Sequence, residues 1–465
     1  MGERLNFFDT SKNKIYKRTL SLFFPIALQN LLTLLLGLTD NLFAARIAKD
    51  AISSIVVGGQ MQLLLQFLVY GISGTALLAV SRMRSRGEGD EAVSVALLSA
   101  GLSMLLGVVF YIISALWPLS VSSFFTVRAD IAESAAEYLR SLAPSFPIFA
   151  LCGVITAVLR AAGRAKGAML ASFTALVVSI GLNYLAICVG AFGEPTVAYI
   201  GRAAVFARIL ELTVLVLTAL PLLKSVRLKV GGVISRLRGA LPRLWQYGKY
   251  IILGQIVWAA NSLFATLVVG RRLPREAVAA LGVASLMHNL SYVMINALSI
   301  SVCSVLASLG EGEAELRESY VRRAELSHLL LGAVSGCLIF LFSGQFISFY
   351  NLSESARNVA HSFLRVLSVT VVGTAYQSGA LYGILRAERK NRFVFFTDLS
   401  FVLLVLLPYS FIAAELGAAP YVVFAALKCD QILKCIPAAV KLRSKNRLWP
   451  FMSKKSRNRA YFRSI

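Results

Sequence analysis

Apolar residues run along this chain in long windows, broken by short polar hinges. Windows long enough to carry an α-helix across a bilayer, about 20 residues, fall at 18–45, 51–81, 92–118, 132–159, 168–190, 196–221, 246–270, 277–306, 325–350, 356–385, 393–414 and 417–440. The pattern predicts an all-α membrane protein of twelve transmembrane helices, with little chain left for a soluble domain.

The windows also repeat. YLRSLAPSFPIFALCGVITAVLRAAGRAKG, starting at Tyr138, and FLRVLSVTVVGTAYQSGALYGILRAERKNR, starting at Phe363, both open on aromatic-Leu-Arg and close on aliphatic-Leu-Arg-Ala. Gly87-Glu88-Gly89-Asp90 returns as Gly310-Glu311-Gly312-Glu313, ARIAKDAIS at 45–53 as GRRLPREAV at 270–278, and ILE at 209–211 as ILK at 432–434. Six spans per copy is an even number, so both copies run in the same direction, related by an axis along the membrane normal. The expected organisation is a six-helix lobe at 1–221, a basic linker at 222–245, a second lobe at 246–441 and a basic tail at 442–465. Parallel six-helix halves that rock about a shared cleft are a transporter architecture.

Composition agrees with the solvent assignment. The chain is 57% hydrophobic and 15% charged, with mean hydropathy +0.72 over 465 residues, more apolar surface than a soluble protein of this length could hide. The net charge of +24 would suit a nucleic-acid binder were it not so unevenly placed. With the N-terminus inside, 34 of the 47 Lys and Arg fall on cytoplasmic segments and 7 on outer loops. That asymmetry predicts both termini in the cytoplasm of a plasma (inner) membrane. The tail, with Trp449, Phe451, Tyr461 and Phe462 among its basic residues, is expected against anionic headgroups rather than nucleic acid. The first apolar run is too long for a cleavable signal. The six cysteines lie in spans without metal spacing, and His288, His328 and His361 are scattered, so neither a metal nor a cofactor is expected.

Asp40 breaks the first window. Leu36, Gly37, Phe43 and Ala44 surround it at helical spacing, and none can neutralise it. Gln29, Thr33 and Asp40 fall on one polar stripe. An ionisable residue within a span is a functional candidate once local pairing is excluded. Asp430 with Lys434, and Glu211 with Arg208, have such pairing and read as ion pairs on helix surfaces. Asp398 has no partner in sequence.

GLTDNLFAARIAKDAISSI, GGQ at 58–60, GISGTALLAVSRMRSRGEGD at 71–90, VLRAAGRAKGAML at 158–170, LNYLAI at 182–187 and FARILEL at 206–212 together resemble the multidrug and toxic compound extrusion (MATE) transporters. The basic loop signature of major facilitator proteins is not seen. The resemblance covers essentially the whole chain. It implies a V-shaped pair of lobes and antiport of organic, cationic or amphipathic compounds against H⁺ or Na⁺, with Asp40 matching a first-helix aspartate used in coupling. The family's cation-binding positions in the fifth and sixth helices are here Ser179, Asn183 and Ala204. One carboxylate with two neutral oxygens is a thin cage for a hard cation, so H⁺ is favoured over Na⁺. Arg202, at a depth similar to that of Asp40, has two readings: it snorkels to the outer headgroups, or it forms an ion pair with Asp40 that proton or substrate must break.

The second half offers neutral stripes: Gln255, Ser262 and Thr266; Ser285, Asn289, Tyr292, Asn296 and Ser299; Thr370, Thr374 and Gln377. Any single member could be helix–helix glue. With Trp258, Met287 and Tyr376 beside them, they predict a substrate cavity contributed by Gln29, Thr33, Gln255, Trp258, Ser262, Asn289, Tyr292, Asn296, Tyr376 and Gln377. The alternative within transport is a lipid-linked oligosaccharide flippase, whose cavity needs cations that only Arg202 supplies here. An enzyme is not expected, since no paired carboxylates, Ser–His pair or metal cluster stands out at membrane depth. A monomer that handles small organic substrates is expected.

Overall fold

The computed structural model of the chain describes residues 12–48, 51–126, 128–191, 193–224, 233–309, 314–348, 350 and 352–444. Every element among them is helical, and each of the twelve apolar windows carries helix. Nine helices among the described residues are long and apolar enough to cross a membrane, and a tenth is counted when Ala129–Leu142 and Ser145–Ala161, bent by 56°, are one span. Pro144 stands at that bend, where a missing N–H and a ring clash interrupt the helical ladder. Of the remaining windows, 246–270 lies in the helix Val233–Arg272. The last, 417–440, is broken into Pro420–Ala426, Asp430–Leu433 and a final stretch at 435–444.

The chain divides into two compact units, Met1–Ala260 with Ile300–Arg317, and Asn261–Ser299 with Glu318–Ile465. The start of the seventh span belongs with the first unit because glycines let it approach closely. A Cβ on Gly248 would stand 2.6 Å from Thr75 Cγ2, and one on Gly71 would stand 3.0 Å from Ile252 Cα. Ser81 and Ser304, 3.3 Å apart, tie the inner end of the eighth span to the same unit. The core of the first unit gathers Leu65, Val69, Leu139, Phe146 and Ile200. That of the second gathers Ala284, Ile339, Leu367, Val371 and Phe424, with Phe363 stacked on Phe424 at 4.3 Å.

The repeat is visible in the backbone. After the fourth span, Gly163 N donates to Arg160 O (3.1 Å) and Arg164 N to Leu159 O (2.8 Å). At the matching place in the second copy, Arg389 N donates to Arg386 O (3.1 Å) and Lys390 N to Leu385 O (2.9 Å), which is the same C-terminal cap. The left-handed residue of that cap is Gly163 in one copy (φ 78°) and Arg389 in the other (φ 64°), where a side chain bears the strain glycine avoids.

Candidate functional site

Three of the predicted coupling residues meet in the first unit. Ser179 and Asn183 lie one turn apart on Ala165–Asn183, fully buried, and face Asp40 on Lys12–Ala44. Asn183 Nδ2 donates to Asp40 Oδ1 at 3.2 Å and lies 3.3 Å from Ser179 Oγ. Ser179 Oγ stands 3.5 Å from the same carboxylate oxygen. Asn183 is the last α-helical residue before a π-helical turn, Tyr184–Cys188, a distortion often found beside functional sites. Its own Oδ1 is buried without a donor. Ala204, the third position, packs on the apolar core of this unit.

Arg202 does not join them. Its side chain is exposed, with the guanidinium over the Tyr199 ring at 5.3 Å, and no ion pair links it to Asp40. Of the two sequence readings, the Asp40–Arg202 pair is the one overturned. A residue at similar depth can point to a different side of the unit, and Arg202 does. The cation whose charge Asp40 feels is Arg208.

Arg208 opens a polar chain that sequence reasoning placed on a helix surface. Its NH1 pairs with Glu211 Oε2 at 2.5 Å, with the side chains 11% and 6% exposed, and its guanidinium lies over Phe149 at 5.0 Å. Ser172 Oγ donates to Glu211 Oε1 (3.2 Å), Gln29 Nε2 to Ser172 Oγ (3.3 Å), and Arg160 to Gln29 Oε1 (2.6 Å). The i,i+3 spacing of Arg208 and Glu211 foretold the pair; only the packing of three helices reveals that it is buried.

The second unit holds a tighter set. Lys434 Nζ lies 3.1 Å from Asp398 Oδ1 and 2.9 Å from Asp430 Oδ2, with the three side chains 0–3% exposed. Tyr382, inside the π-helical stretch Ser378–Leu385, donates to both oxygens of Asp398 (3.0 and 2.9 Å). Asp398 therefore has partners, from helices distant in sequence, and the Asp430–Lys434 pair is interior rather than superficial.

The predicted cavity residues fall in both units. Gln29 is buried in the first-unit chain, and Thr33 is exposed, its hydroxyl on the Gln29 carbonyl (3.0 Å). Gln255, Trp258, Ser262, Tyr292 and Asn296 are half-buried, Ser285 and Asn289 are exposed, and the Thr266 side chain lies outside the described residues. Tyr292 stacks on His288 at 5.9 Å. The stripe of Thr370, Thr374 and Gln377 is buried, with Thr374 donating to Gln431, so it joins helices instead of lining a cavity. Tyr376 donates to Glu325 (2.9 Å) and lines an apolar cavity of about 760 Å³ with Cys337, Phe340, Val372 and Cys435.

The expectation of no Ser–His pair at depth is also overturned. Ser299 Oγ is 3.1 Å from His328 Nε2 and 2.9 Å from Ser378 Oγ. His328 Nδ1 must carry the proton, since it meets the Ala324 carbonyl at 2.8 Å, leaving Nε2 to accept from serine. All three side chains are no more than 2% exposed, which seals them from any substrate. They serve as glue between helices. Among the described residues no three His, Cys, Asp or Glu converge to hold a metal.

The MatE family model matches residues 25–185 and 251–412, one segment in each copy of the repeat. The chain belongs to the MatE family. Membership makes it a membrane transporter and not an enzyme. A probable multidrug resistance protein NorM from Thermotoga maritima is 25% identical over 387 residues, 80% of each chain. A probable multidrug resistance protein YoeA from Bacillus subtilis is 24% identical over 75% of this chain and 76% of its own. A MOP superfamily transporter from Pyrococcus furiosus, described as having reversed pocket polarity that suggests a different function, shares the fold at TM-score 0.82 and 19% identity, covering 96% of this chain and 99% of that one. A MATE crystal structure in the bent conformation matches at TM-score 0.82 and 18% identity over 98% and 100%. The two-lobe, all-helical MatE fold stands, and the flippase alternative finds no support among these relatives.

Proposed function

We propose that this MatE protein is an H⁺-coupled antiporter that exports organic, cationic or amphipathic compounds across the plasma membrane, with both termini cytoplasmic. The observation that carries the reading is the Asp40 carboxylate, held by the neutral donors Asn183 and Ser179 at 3.2 and 3.5 Å. A carboxylate whose hydrogen-bond partners are neutral can gain or lose a proton without dismantling its surroundings. The multidrug names of the curated relatives support the substrate class. Energetics favour coupling: expelling a +1 compound against an inside-negative potential costs about 2.3 kcal/mol per 100 mV, and one inbound proton offsets it. The basic tail lies outside the described residues and is proposed, from its composition, to rest on anionic lipid.

Sodium is the second reading, and one observation favours it. Exchanging the ends of the Asn183 amide would turn its partnerless Oδ1 toward Asp40 and Ser179, giving a cation three oxygens. That is about half of what a hard cation collects. Proteoliposomes separate the two. Substrate movement should follow a pH gradient at equal Na⁺, and a Na⁺ gradient at equal pH should drive none. Transport driven by Na⁺ alone would replace the proton with the second reading.

A further inference from the structure

We propose that the apolar groove of the second unit binds an amphipathic organic amine, its hydrophobic body lying between the ninth, tenth and twelfth spans and its ammonium meeting Tyr376 and Glu325. The site is separate from the Asp40 cluster, and binding there does not require that the compound be exported.

Glycines make the groove. On the ninth span, Leu316–Ser348, a Cβ on Gly332 would stand 3.0 Å from Val372 Cα of the tenth, Glu354–Leu385, and one on Gly336 would run into the Ser368 carbonyl. On the other side, a Cβ on Gly373 would stand 2.5 Å from the Gln431 carbonyl oxygen. The tenth span is thus held low between its neighbours. Its outward face, with Val369 exposed, floors a groove of about 760 Å³, walled by Cys337 and Phe340 on one side and Cys435 on the other. That volume falls among small-molecule sites, which share this make-up of apolar walls with a few placed polar groups. Because Phe340 and Val369 are exposed on spanning helices, the groove opens toward lipid, where an amphiphile dissolves.

Tyr376 supplies the polar end. Its hydroxyl proton goes to Glu325 Oε1 at 2.9 Å, so the phenol oxygen has only lone pairs left to offer the groove. Glu325 is half-buried within the ninth span, and among the described residues no cation pairs with it. Arg322, one turn away, is held by Glu318 at 2.7 Å. Arg443, whose charge Tyr376 feels, is exposed and forms no ion pair with Glu325. A carboxylate inside a span is costly and is kept where something meets its charge. An ammonium does so: it donates to the phenol oxygen, and a hydrogen bond from a charged donor is about twice as strong as a neutral one. The Tyr376 and Phe340 rings attract the same charge. A phospholipid fits less well, because its phosphate would be carried against Glu325.

The test uses two probes on one naphthyl-butyl scaffold, the primary amine and the matching alcohol, the second lacking only the charge. Binding is measured on the purified full-length protein in phosphatidylcholine nanodiscs, against empty nanodiscs. Glu325→Gln should weaken the amine about tenfold and the alcohol less than about twofold, whereas Cys337→Trp, which fills the groove, should weaken both. Equal losses for amine and alcohol in Glu325→Gln, or no loss for the amine, would overturn the assignment, as would unchanged binding of both in Cys337→Trp. Should Glu325→Gln not be recovered monodisperse, Glu325→Asp carries the comparison, drawing the charge back from Tyr376 and weakening the amine alone. Asp40→Asn should leave both affinities in place; loss of the amine there would put it in the Asp40 cluster and overturn the groove. Competition by added phosphatidylethanolamine in wild type, absent in Glu325→Gln, would give the site to a lipid amine and overturn the free one. Amine binding that depends on Glu325, without gradient-driven export of the probe, would uphold the site and sink the export reading instead.

Discussion

In the first half, Ser172 on the fifth span donates to Glu211 on the sixth. In the second, in the register that pairs Gly163 with Arg389, Asp398 takes the place of Ser172. It meets Lys434, which takes the place of Glu211 in the ILE/ILK repeat. One pair of positions has been kept and its chemistry changed, from a hydroxyl on a carboxylate to a carboxylate on an ammonium. The surroundings differ as well. The first-half chain runs from Glu211 through the neutral Ser172 and Gln29 to a partly accessible Arg160, with a half-buried Asp40 held separately by Asn183 and Ser179, whereas the second-half set is sealed at 0–3% exposure with two carboxylates closing on one ammonium. A titrating or ligand-binding group must be able to change state without collapse. The first network allows that, and the second reads as a lock between the eleventh and twelfth spans. The positions matched to the Asp40 cluster carry no carboxylate in the second half: Ala265 stands for Asp40 in the ARIAKDAIS–GRRLPREAV register, and Val405 and Tyr409 stand for Ser179 and Asn183 in that of Gly163 and Arg389.

The sharpest way to break the comparison is Lys434→Met. It leaves two buried carboxylates without their shared cation. Removing one partner of a buried pair costs about 3–5 kcal/mol, so thermal unfolding in detergent should fall steeply. Replacing all three charges together, as Lys434→Met with Asp398→Asn and Asp430→Asn, should recover most of that loss. Export at wild-type rates by the stable triple variant identifies a lock; a stable triple variant that no longer couples to a gradient would make the second network part of the transport chemistry.

Asp40→Asn is the matching change in the first half, with the opposite signature. Asparagine keeps the shape and can still bond Asn183 and Ser179, so folding should change by less than about 1 kcal/mol. Gradient-driven export should fall by about two orders of magnitude, because the group that carries the proton is gone. Full export by purified Asp40→Asn in proteoliposomes would remove Asp40 from the mechanism.

The helical windows, the internal repeat and the isolation of Asp40 were legible because hydropathy and charge are properties of short stretches. Ser179 and Asn183 were found through family resemblance, and nothing local to them announces a site. Depth was the illegible quantity. Spacing of three or four residues shows that Arg208 and Glu211, or Asp430 and Lys434, share a helix face, but not whether that face meets lipid or protein. Thr370, Thr374 and Gln377 show the same limit, since a polar stripe marks a cavity wall and a helix contact alike. Arg160 was hidden for another reason: a cation at the inner end of a span is the commonest feature of such chains, and only its turn toward Gln29 sets it apart.

Arg202 gives the smallest expected effect and tests where the first-half network ends. In sequence it has two readings, a guanidinium that snorkels to the outer headgroups or one that pairs with Asp40 at similar depth. In the structure it lies exposed on Tyr199, a cation–π contact worth about 0.5–1 kcal/mol at such a site. Asp40 meets Asn183 and Ser179 instead and feels the charge of Arg208. An exposed side chain that touches only one ring has little to lose, so Arg202→Ala should shift stability by no more than that cation–π increment. Export measured across pH should keep its profile in Arg202→Ala, in wild-type and Asp40→Asn backgrounds alike, because sites with no shared partner behave independently. A displaced pH profile in Arg202→Ala, erased by Asp40→Asn, would mean that the two residues meet in another state of the transport cycle and that the network extends beyond Arg208.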